Sequence, residues 1–495
     1  MKDSLPGLQN GTDIRGIALE NDVRPVNMTN DDIRAIAGGI LRWLMSRSNN
    51  KTNTLRIAIG MDSRVTGPKI KELLMEEFSR HCVSIVDCGL ATTPAIFMTT
   101  IWEEYSCNCG IMITASHLPY YYNGLKIFTS AGATERSDIR EILTFASECY
   151  DSIEETEGRG QVRTMELLED YSNHLVRNII KATGMSKPLE GMRVIVDAGN
   201  GSGGFFASKV LATLGADTTG SRFLDPDGMF PNHEPNPENK EAMESISSAV
   251  LKHHADLGII FDTDVDRAAI VTDDGMEVNR NSLIALISDI VLREHPGSVI
   301  VTDSITSDGL TEFIHRRGGI HHRFKRGYKN VINEAKRINA EGERISCLAI
   351  ETSGHAALAE NHFLDDGTYL IAKLLIEASR LHQEGKKLQS LIQDLKRPQE
   401  SVEYRIGIVE PDFKAYGEGV LERFRTFAQS QNGWDIVSPN FEGVKVNVPS
   451  GWILMRMSLH EPVMPVNIEL ENGDLLGEVI DKLKDFVKEQ HGLDF

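Results

Sequence analysis

A strand–helix alternation that occurs three times in succession is the feature that most limits how this chain can fold. In each repeat, short apolar runs alternate with segments whose apolar residues recur at helical spacing. The last strand of each repeat ends in a polar motif: Ala115-Ser116-His117, then residues 262–267, then residues 351–355. Such alternation is typical of a mainly parallel sheet covered by helices, and ligands bind at the carboxyl ends of its strands. We therefore expect three α/β domains, each with a functional loop at that edge.

The patterns also predict individual elements and domain limits. The strands are expected at residues 55–59, 83–87, 110–114, 192–197, 257–261, 298–301 and 345–350, and helices at 205–214, 242–253, 309–317 and 328–338. From Ser401 the pattern changes to α+β, with a strand at 402–409, a helix at 412–429, several short strands and a closing helix at 475–489. The predicted domains are 1–157, 158–275 and 276–397, each α/β with a mixed or parallel sheet, and 398–495, α+β.

The charge balance limits the partners of the chain. Its 52 basic and 72 acidic residues give a formal net charge of −20. Nucleic-acid binding requires basic residues that neutralise phosphates, so we expect no nucleic-acid partner. No apolar run is long enough to cross a membrane, and the first residues lack the order of a signal peptide. We expect a cytoplasmic protein without a membrane partner, or one from an organelle stroma or matrix if the chain is a trimmed form.

The first polar motif offers a nucleophile. Ser116 lies in Thr114-Ala-Ser-His-Leu-Pro119, with His117 next to it and Lys126 ten residues further on. A serine hydroxyl becomes nucleophilic only with help from neighbouring groups that move protons. A serine followed by a histidine is more often part of an ordinary turn, so the motif gains meaning only from the motifs that accompany it.

The second motif is suited to a divalent cation. Asp262, Asp264 and Asp266 alternate along one loop, and oxygen ligands of this kind bind hard cations such as Mg²⁺. An EF-hand is excluded, because its sixth position would be Arg267 rather than glycine and its twelfth Asp273 rather than glutamate. Arg267 offers a fixed fork of donors for a phosphate. A solvated acidic loop remains the alternative for this motif alone.

Two further motifs offer groups for a sugar phosphate. Glu351 and Ser353, in Glu-Thr-Ser-Gly-His, provide acceptors for sugar hydroxyls, although a helix cap or turn explains them equally well. Arg456 and Ser458, in Arg-Met-Ser-Leu-His-Glu-Pro, provide a cation and a hydroxyl for a phosphate. Each motif by itself is weak evidence.

Together, in this order, the four motifs resemble the α-D-phosphohexomutase superfamily of phosphoglucomutases and phosphomannomutases. Ser116 matches the phosphoserine loop of that family, and the three aspartates match its magnesium loop. Glu351 and Ser353 match the sugar-binding loop, and Arg456 and Ser458 the distal phosphate loop. Thr12-Asp-Ile-Arg-Gly16 is similar to an N-terminal arginine motif, and residues 227–237 (Asp-Gly-Met-Phe-Pro-Asn-His-Glu-Pro-Asn-Pro) to a family signature.

The resemblance implies four domains around a central cleft and a hexose-phosphate mutase. Phosphorylated Ser116 would give its phosphoryl group to a glucose or mannose phosphate, through a hexose 1,6-bisphosphate that also serves as activator. Mg²⁺ would bind the three aspartates and the Ser116 phosphate. His117 and Lys126 are the candidates for general base and acid. The remaining candidates for substrate binding are Arg15, Arg267 and Lys329.

Three departures from the family pattern qualify these expectations. Leu118 replaces the usual asparagine after Ser-His, and Thr263 and Val265 replace glycines between the metal aspartates. Since β-branched residues do not easily adopt positive φ, we expect an ordinary backbone path in the metal loop. In the distal loop, Leu459 replaces a glycine, and His460 is expected to replace a threonine as phosphate donor.

Alternative functions remain open at this point. A bisphosphate-sugar synthase or an amino-sugar phosphate mutase would keep Ser116 and change the outcome of the reaction. A non-catalytic sensor of sugar phosphates would keep the scaffold only. The complete set of Ser116, Lys126 and three aspartates argues against the sensor.

Overall fold

The computed structural model describes residues 5–47, 52–149, 159–458 and 461–495. Two compact units make up the chain. The first comprises residues 1–279, 353–357 and 364–388, and the second comprises residues 280–352, 358–363 and 389–495. The expected contribution of His460 lies outside the described residues.

The first repeat forms a mixed sheet flanked by helices. Its elements are β1 Gln9–Asn10, β2 Asp13–Ile17, α1 Asn30–Arg47, β3 Arg56–Met61, α2 Gly67–Arg80, β4 Ser84–Leu90, α3 Thr93–Met98, β5 Cys109–Ile113, β6 Tyr122–Thr129, β7 Gly132–Ala133 and α4 Arg136–Cys149. The strand order is β1-β2-β6-β5-β3-β4, extended at its far edge by β8, Val162–Thr164. Strands β5, β3, β4 and β8 are parallel, whereas β2 and β6 are antiparallel to their neighbours. The carboxyl ends of β3 and β5 therefore lie side by side.

Close helix packing completes this core. A Cβ on Gly39 of α1 would lie 2.4 Å from the carbonyl oxygen of Ile142 in α4, so only glycine allows the two helices to approach this closely. Trp43, Phe78 and Ile111 belong to the apolar cluster between the helices and the sheet. Burial of such side chains is the main stabilising contribution to a core of this kind.

The second repeat forms a smaller sheet in the same unit. Its elements are α5 Leu167–Thr183, β9 Val194–Asp197, α6 Lys240–His253, β10 Leu257–Phe261, β11 Ala268–Thr272 and β12 Glu277–Val278. The strand order is β12-β11-β10-β9, with β9 and β10 parallel. The helix predicted at 205–214 is instead a 3-10 turn, Ser202–Gly204, followed by a π-helix, Phe206–Leu211. The chain runs close to its neighbours here, since a Cβ on Gly204 would lie 2.0 Å from the carbonyl oxygen of Leu224.

The third repeat supplies elements to both units. It contains α7 Arg280–Glu294, β13 Val299–Asp303, α8 Asp308–Arg316, β14 Ile320–Phe324, α9 Tyr328–Glu341, β15 Ser346–Ile350, β16 Ala356–Leu358, β17 Leu364–Asp365 and α10 Gly367–Gln383. Strands β14, β13 and β15 are parallel neighbours in the second unit. Helix α10 belongs to the first unit, where it packs on α5 and the Tyr171 hydroxyl lies 3.0 Å from Thr368 Oγ1.

The tail forms an antiparallel sheet with two helices. Its elements are β18 Glu400–Ile408, α11 Phe413–Ser430, β19 Asp435–Ile436, β20 Val444–Val448, β21 Gly451–Met455, β22 Val463–Leu470, α12 Leu476–Lys488 and β23 Leu493–Asp494. The strand order is β19-β20-β21-β22-β18-β23. Phe424 of α11 and Phe486 of α12 pack with their ring centroids 5.3 Å apart on this sheet.

These observations confirm the predicted fold class of three α/β domains and a C-terminal α+β domain. The strand predicted at 257–261 has those same limits, and most other predicted elements agree within a few residues. Across the described ranges, each helix is too short or too polar to cross a membrane.

Candidate active site

Ser116 follows the buried strand β5 and is itself buried, with 3% of its surface exposed. Its backbone has a φ of +52°, in the left-handed region that side chains other than glycine rarely adopt. Thr114 Oγ1 accepts a hydrogen bond from the Ser116 amide at 2.9 Å, which bends the chain at the end of the strand. The turn directs the serine side chain towards the second repeat.

Three groups surround the Ser116 hydroxyl. Ser116 Oγ donates to Asp262 Oδ2 at 3.1 Å, and Arg267 Nη2 donates to Ser116 Oγ at 3.3 Å. His117 Nδ1 lies 3.3 Å from the same oxygen. The structure therefore brings the candidate nucleophile of the first repeat against the acidic motif of the second.

The three aspartates follow β10 and are almost completely enclosed. Asp262, Asp264 and Asp266 have at most 2% of their surface exposed, and each presents a ligand atom within 4.8 Å of the other two. The start of α3 holds the loop, since the Thr93 amide donates to the Asp264 carbonyl at 2.9 Å and its hydroxyl donates to the Asp264 carboxylate. The alternative of a solvated acidic loop is excluded by this burial.

The donor set fits a hard divalent cation. Asp264 Oδ1 and Asp266 Oδ1 are buried and accept no hydrogen bond within the described part of the chain, so each retains a lone pair for a ligand. Burial, followed by the charge of Asp266, raises the pKa of Asp262 to about 8. Crowded carboxylates of this kind favour a cation placed among them.

The prediction of an ordinary backbone path in this loop is wrong. Val265 has a φ of +67° although its side chain is β-branched. Tertiary contacts outweigh the local penalty: the Val265 side chain is fully buried, and its carbonyl accepts a hydrogen bond from Gly367 N at 3.2 Å. Strain of this kind costs about 1–3 kcal/mol and persists only where the surroundings fix the chain. The loop thus keeps a path suited to glycine despite the substitution.

Lys126 lies between two of the aspartates. From β6, its Nζ donates to Asp264 Oδ2 at 2.8 Å and also to the Asp266 carboxylate. Burial by itself would lower the pKa of Lys126, but the two carboxylates outweigh it and raise the pKa well above its usual value. Burial by itself would raise the pKa of Asp266. The nearby charges of Lys126, His355 and Arg267 outweigh burial and lower this pKa below its usual value. Lys126 is therefore a permanent cation at this site.

His117 is held neutral. Burial, followed by the charge of Arg267, lowers its pKa to about 2. Since Arg267 Nη2 donates to His117 Nδ1 at 2.7 Å, this nitrogen carries a lone pair rather than a proton. The imidazole beside Ser116 is thus a proton acceptor and not a charged donor.

Two arginines of the predicted set border the serine. Arg267 Nε donates to Asp262 Oδ2 at 3.1 Å, and its Nη1 donates to Asn236 Oδ1 at 3.2 Å. Arg15 pairs with Asp13 at 2.7 Å, and its Nη1 donates to the Ala115 carbonyl at 3.4 Å. Hydrogen bonds within the protein therefore fix both guanidinium groups beside the serine loop.

Sequence reasoning missed Arg64 and Asp365, and it placed His355 in the sugar motif without foreseeing its contact with the metal loop. His355 Nδ1 contacts the Asp365 carboxylate and lies 4.0 Å from Asp266 Oδ1. Burial would lower the pKa of His355, but Asp365 and Asp266 raise it to about 9. Arg64, which binds the serine loop, follows β3 in the same way that Ser116 follows β5. That position at the end of a strand was the available signal for Arg64, whereas Asp365 gave none.

The sugar motif divides between the two units. In the second unit, Glu351 Oε1 accepts a hydrogen bond from Gly327 N at 2.6 Å, next to the start of α9 where half-buried Lys329 lies. Ser353 belongs to the first unit, and its buried Oγ has no hydrogen-bond partner among the described residues. Glu351 and Ser353 thus remain candidate sugar ligands.

The distal motif also lies in the second unit. Arg456 is 5% exposed, its Nη2 is 3.4 Å from Glu403 Oε2, and its buried Nε has no hydrogen-bond partner within the residues described. Burial, followed by the charge of Arg326, lowers the pKa of Arg456. Ser458 Oγ accepts a hydrogen bond from Glu461 N at 3.2 Å. A buried guanidinium with a spare donor is suited to an anion.

Comparison with known proteins gives concordant matches. The family models "Phosphoglucomutase/phosphomannomutase, alpha/beta/alpha" domains I, II and III match residues 7–150, 169–275 and 279–398. A phosphomannomutase/phosphoglucomutase of Pseudomonas syringae pv. tomato is 30% identical over 421 residues, 85% of this chain and 84% of that protein. A phosphoglucomutase of Neisseria meningitidis serogroup A is 28% identical over 473 residues, 93% of this chain and 96% of that protein. The crystal structure of a phosphoglucomutase/phosphomannomutase family protein from Burkholderia thailandensis shares the fold, with a TM-score of 0.81, 23% identity and complete coverage of both chains.

Proposed function

Because this chain belongs to the phosphoglucomutase/phosphomannomutase family, we propose that it is a hexose-phosphate mutase whose phosphoryl carrier is Ser116. The observation that carries the proposal is the position of Ser116 Oγ, 3.1 Å from Asp262 Oδ2 and 3.3 Å from Arg267 Nη2. A hydroxyl so close to both an acidic metal loop and a fixed guanidinium is suited to carry a phosphoryl group.

The cationic side chains act on the charge of the transferring group. In phosphoryl transfer, negative charge spreads over the oxygens of the group, and fixed donors nearby lower the barrier. Arg267 contacts Ser116 Oγ directly, and Lys126, whose pKa is raised well above its usual value, pairs with Asp264 and Asp266. Asp262, Asp264, Asp266 and the Ser116 phosphate would hold Mg²⁺, which would supply the further positive charge that such transfer requires.

Protons must move as the phosphoryl group does. When the bond between phosphorus and Ser116 Oγ breaks, the new bond forms to a hexose hydroxyl, which loses its proton, and Ser116 Oγ gains one. The return transfer reverses these changes and leaves the other phosphoryl group on Ser116, with a hexose 1,6-bisphosphate between the two steps. His117 Nδ1 lies 3.3 Å from Ser116 Oγ and is the candidate for exchanging the serine proton, which requires that Arg267 Nη2, now 2.7 Å from the same nitrogen, turn to the phosphate and release it. Since Lys126 keeps its proton, we assign it the role of cation and donor rather than base.

Substrate recognition is assigned to the remaining candidates. Glu351 would accept hydrogen bonds from the sugar hydroxyls, and Ser353 would accept or donate one. Lys329 would bind the sugar or its phosphate. Arg456 and Ser458, together with His460, would hold the phosphate that does not react. Arg15, beside the serine loop at Ala115, would contact the reacting phosphate. These roles are supported by Arg456 Nε and Ser353 Oγ, both buried and without a hydrogen-bond partner in the described ranges.

The decisive experiment is phosphopeptide mapping with a matched pair of variants. Ser116→Ala removes the carrier, whereas Ser208→Ala changes an exposed serine of the same unit. Incubation with a hexose 1,6-bisphosphate and Mg²⁺ should phosphorylate Ser116 in the wild type and in the control. Interconversion of hexose 1- and 6-phosphates should fall to background in Ser116→Ala alone. Absence of phosphate on Ser116, or turnover in Ser116→Ala, would refute the proposal.

The same assay separates the remaining alternatives. Glucose, mannose and N-acetylglucosamine phosphates tested side by side identify the sugar, and accumulation of bisphosphate without mutase turnover would indicate a synthase. Binding of sugar phosphates without phosphorylation would indicate a sensor. The four domain limits, the cleft between domains, a cytoplasmic location and the absence of a nucleic-acid partner stay predictions.

A further inference from the structure

Arg64 makes a set of contacts that the proposed mechanism does not use. It follows β3 in the turn Asp62-Ser-Arg64, and its side chain is completely buried. Its Nη1 donates to the carbonyl oxygens of Pro119 and Tyr122 at 2.8 and 2.9 Å. Its Nη2 donates to the carbonyl oxygens of Ser116 and Leu118. One guanidinium therefore binds four carbonyl groups along the serine loop and its exit.

The adjacent acid fixes the position of this guanidinium. The Arg64 amide donates to Asp62 Oδ1 at 2.9 Å, and Arg64 Nε lies 3.4 Å from Asp62 Oδ2. Both side chains are fully enclosed, so the fork cannot rotate into solvent. A planar guanidinium held in this way presents its donors in fixed directions.

The signature at residues 227–237 closes over Arg64. The Arg64 guanidinium carbon lies 5.2 Å from the centroid of the Phe230 ring, and Phe230 has a φ of +50°. A Cβ on Gly228 would lie 2.4 Å from the carbonyl oxygen of Ser63, so only glycine allows this approach. The same segment holds Arg267 through Asn236. The segment thus contacts both Arg64, which binds the carbonyl group of Ser116, and Arg267, which binds the Ser116 hydroxyl.

The serine loop needs such support because its backbone is strained. A φ of +52° at Ser116 persists only if surrounding contacts fix it. Without Arg64, the carbonyl oxygens of Ser116, Leu118 and Tyr122 would each lose a buried donor, whereas that of Pro119 would keep the Tyr122 amide, and the loop would relax towards an extended path. That change would move Ser116 Oγ away from Asp262 and Arg267. A displacement of about 1 Å at a reacting atom costs about 100-fold in rate.

We propose that Arg64, covered by Phe230, is the positioning residue that aims Ser116 Oγ at the metal loop, an inference that rests on the proposed function of Ser116. Lysine cannot replace it, because a single ammonium lacks the planar fork that reaches several carbonyls at once. The signature at 227–237 therefore supports phosphoryl transfer through its contacts with Arg64 and Arg267.

The test measures single-turnover phosphorylation of Ser116 by a hexose 1,6-bisphosphate. Arg64→Lys should slow this step about 100-fold, with KM for the hexose phosphate changed less than about threefold. Mg²⁺ affinity of the unphosphorylated protein should change little, because lysine keeps the positive charge that Arg64 places near Asp264. Phe230→Leu should slow the step about tenfold, and Arg42→Lys, an exposed arginine of the same unit, should not change it.

Two further measurements distinguish positioning from a loss of folding. Guanidinium ion, at concentrations well below those that unfold the protein, should restore part of the rate to Arg64→Ala and none to Ser116→Ala. Hydrogen exchange of the peptide covering residues 114–122 should be faster in Arg64→Lys than in the wild type. A normal rate in Arg64→Lys, or unchanged exchange in that peptide, would overturn the inference.

A failure of the proposed function would give a different experimental result. If the wild type accepts no phosphate on Ser116, the mutase mechanism fails while exchange in residues 114–122 still tests whether Arg64 orders the loop. If the wild type is phosphorylated and Arg64→Lys is equally fast, the mutase mechanism stands and the role of Arg64 fails.

Discussion

Replacement of Lys126 by methionine tests the electrostatic balance of the aspartate cluster. Lys126 is 4% exposed and contacts two carboxylates that are themselves buried, Asp264 and Asp266. With Asp262 protonated, in keeping with its raised pKa, the charges of Asp264, Asp266, Lys126 and Arg267 sum to 0. The variant takes this sum to −1. Removal of one member of a buried pair typically costs about 3–5 kcal/mol, because the remaining charge stays buried without a partner.

The loss should depend on the divalent cation. At about 2–4 °C per kcal/mol for a domain of this size, the unfolding temperature of Lys126→Met should fall by about 6–20 °C in EDTA. Saturating Mg²⁺ binds only the folded cluster and should recover much of that loss. The shift between EDTA and Mg²⁺ should therefore be larger in the variant than in the wild type.

Thermal unfolding followed by near-ultraviolet circular dichroism measures both quantities. Lys69→Met removes an exposed lysine paired with Glu72 and should change the stability by less than about 1 kcal/mol. The double variant Lys126→Met/Asp264→Asn should be more stable in EDTA than Lys126→Met, since one of the unpaired charges is removed. An EDTA unfolding temperature of Lys126→Met equal to that of Lys69→Met would refute the reasoning.

Two further predictions concern other parts of the first unit. At Val265, replacement by alanine should lower the free energy of unfolding by about 1–2.5 kcal/mol, because methyl groups are lost from the core. The glycine variant should lie within about 1 kcal/mol of the alanine variant, because glycine relieves the left-handed φ. Denaturant midpoints compare the two variants, and a glycine variant far less stable than the alanine variant would contradict this prediction. At His233, burial would lower the pKa, but Asp197 at 3.0 Å raises it above 6.5. This pair should stabilise the folded state fully below pH 6.5 and lose its contribution as pH rises through the pKa of His233 in the folded protein. Denaturant midpoints measured across pH should therefore show the stability difference between the wild type and Asp197→Asn becoming smaller at high pH.

The sequence by itself determined the order of strands and helices and the position of each polar motif at a strand end. These features follow from local patterns: apolar periodicity sets the element type, and residues such as Ser116 and Asp262 immediately follow buried apolar runs. The resemblance to the family added roles to these residues, because it rested on motif order along the whole chain. The family and the fold class are both confirmed.

Only the tertiary structure decided how these groups act on each other. The neutrality of His117, the permanent charge of Lys126 and the four carbonyl contacts of Arg64 depend on neighbours distant in sequence. The positive φ of Val265 could not be predicted either, because local propensity opposes it and contacts such as that with Gly367 impose it. Burial and charge act through space, so a pattern along the chain specifies which residues reach the strand ends but not their protonation or strain.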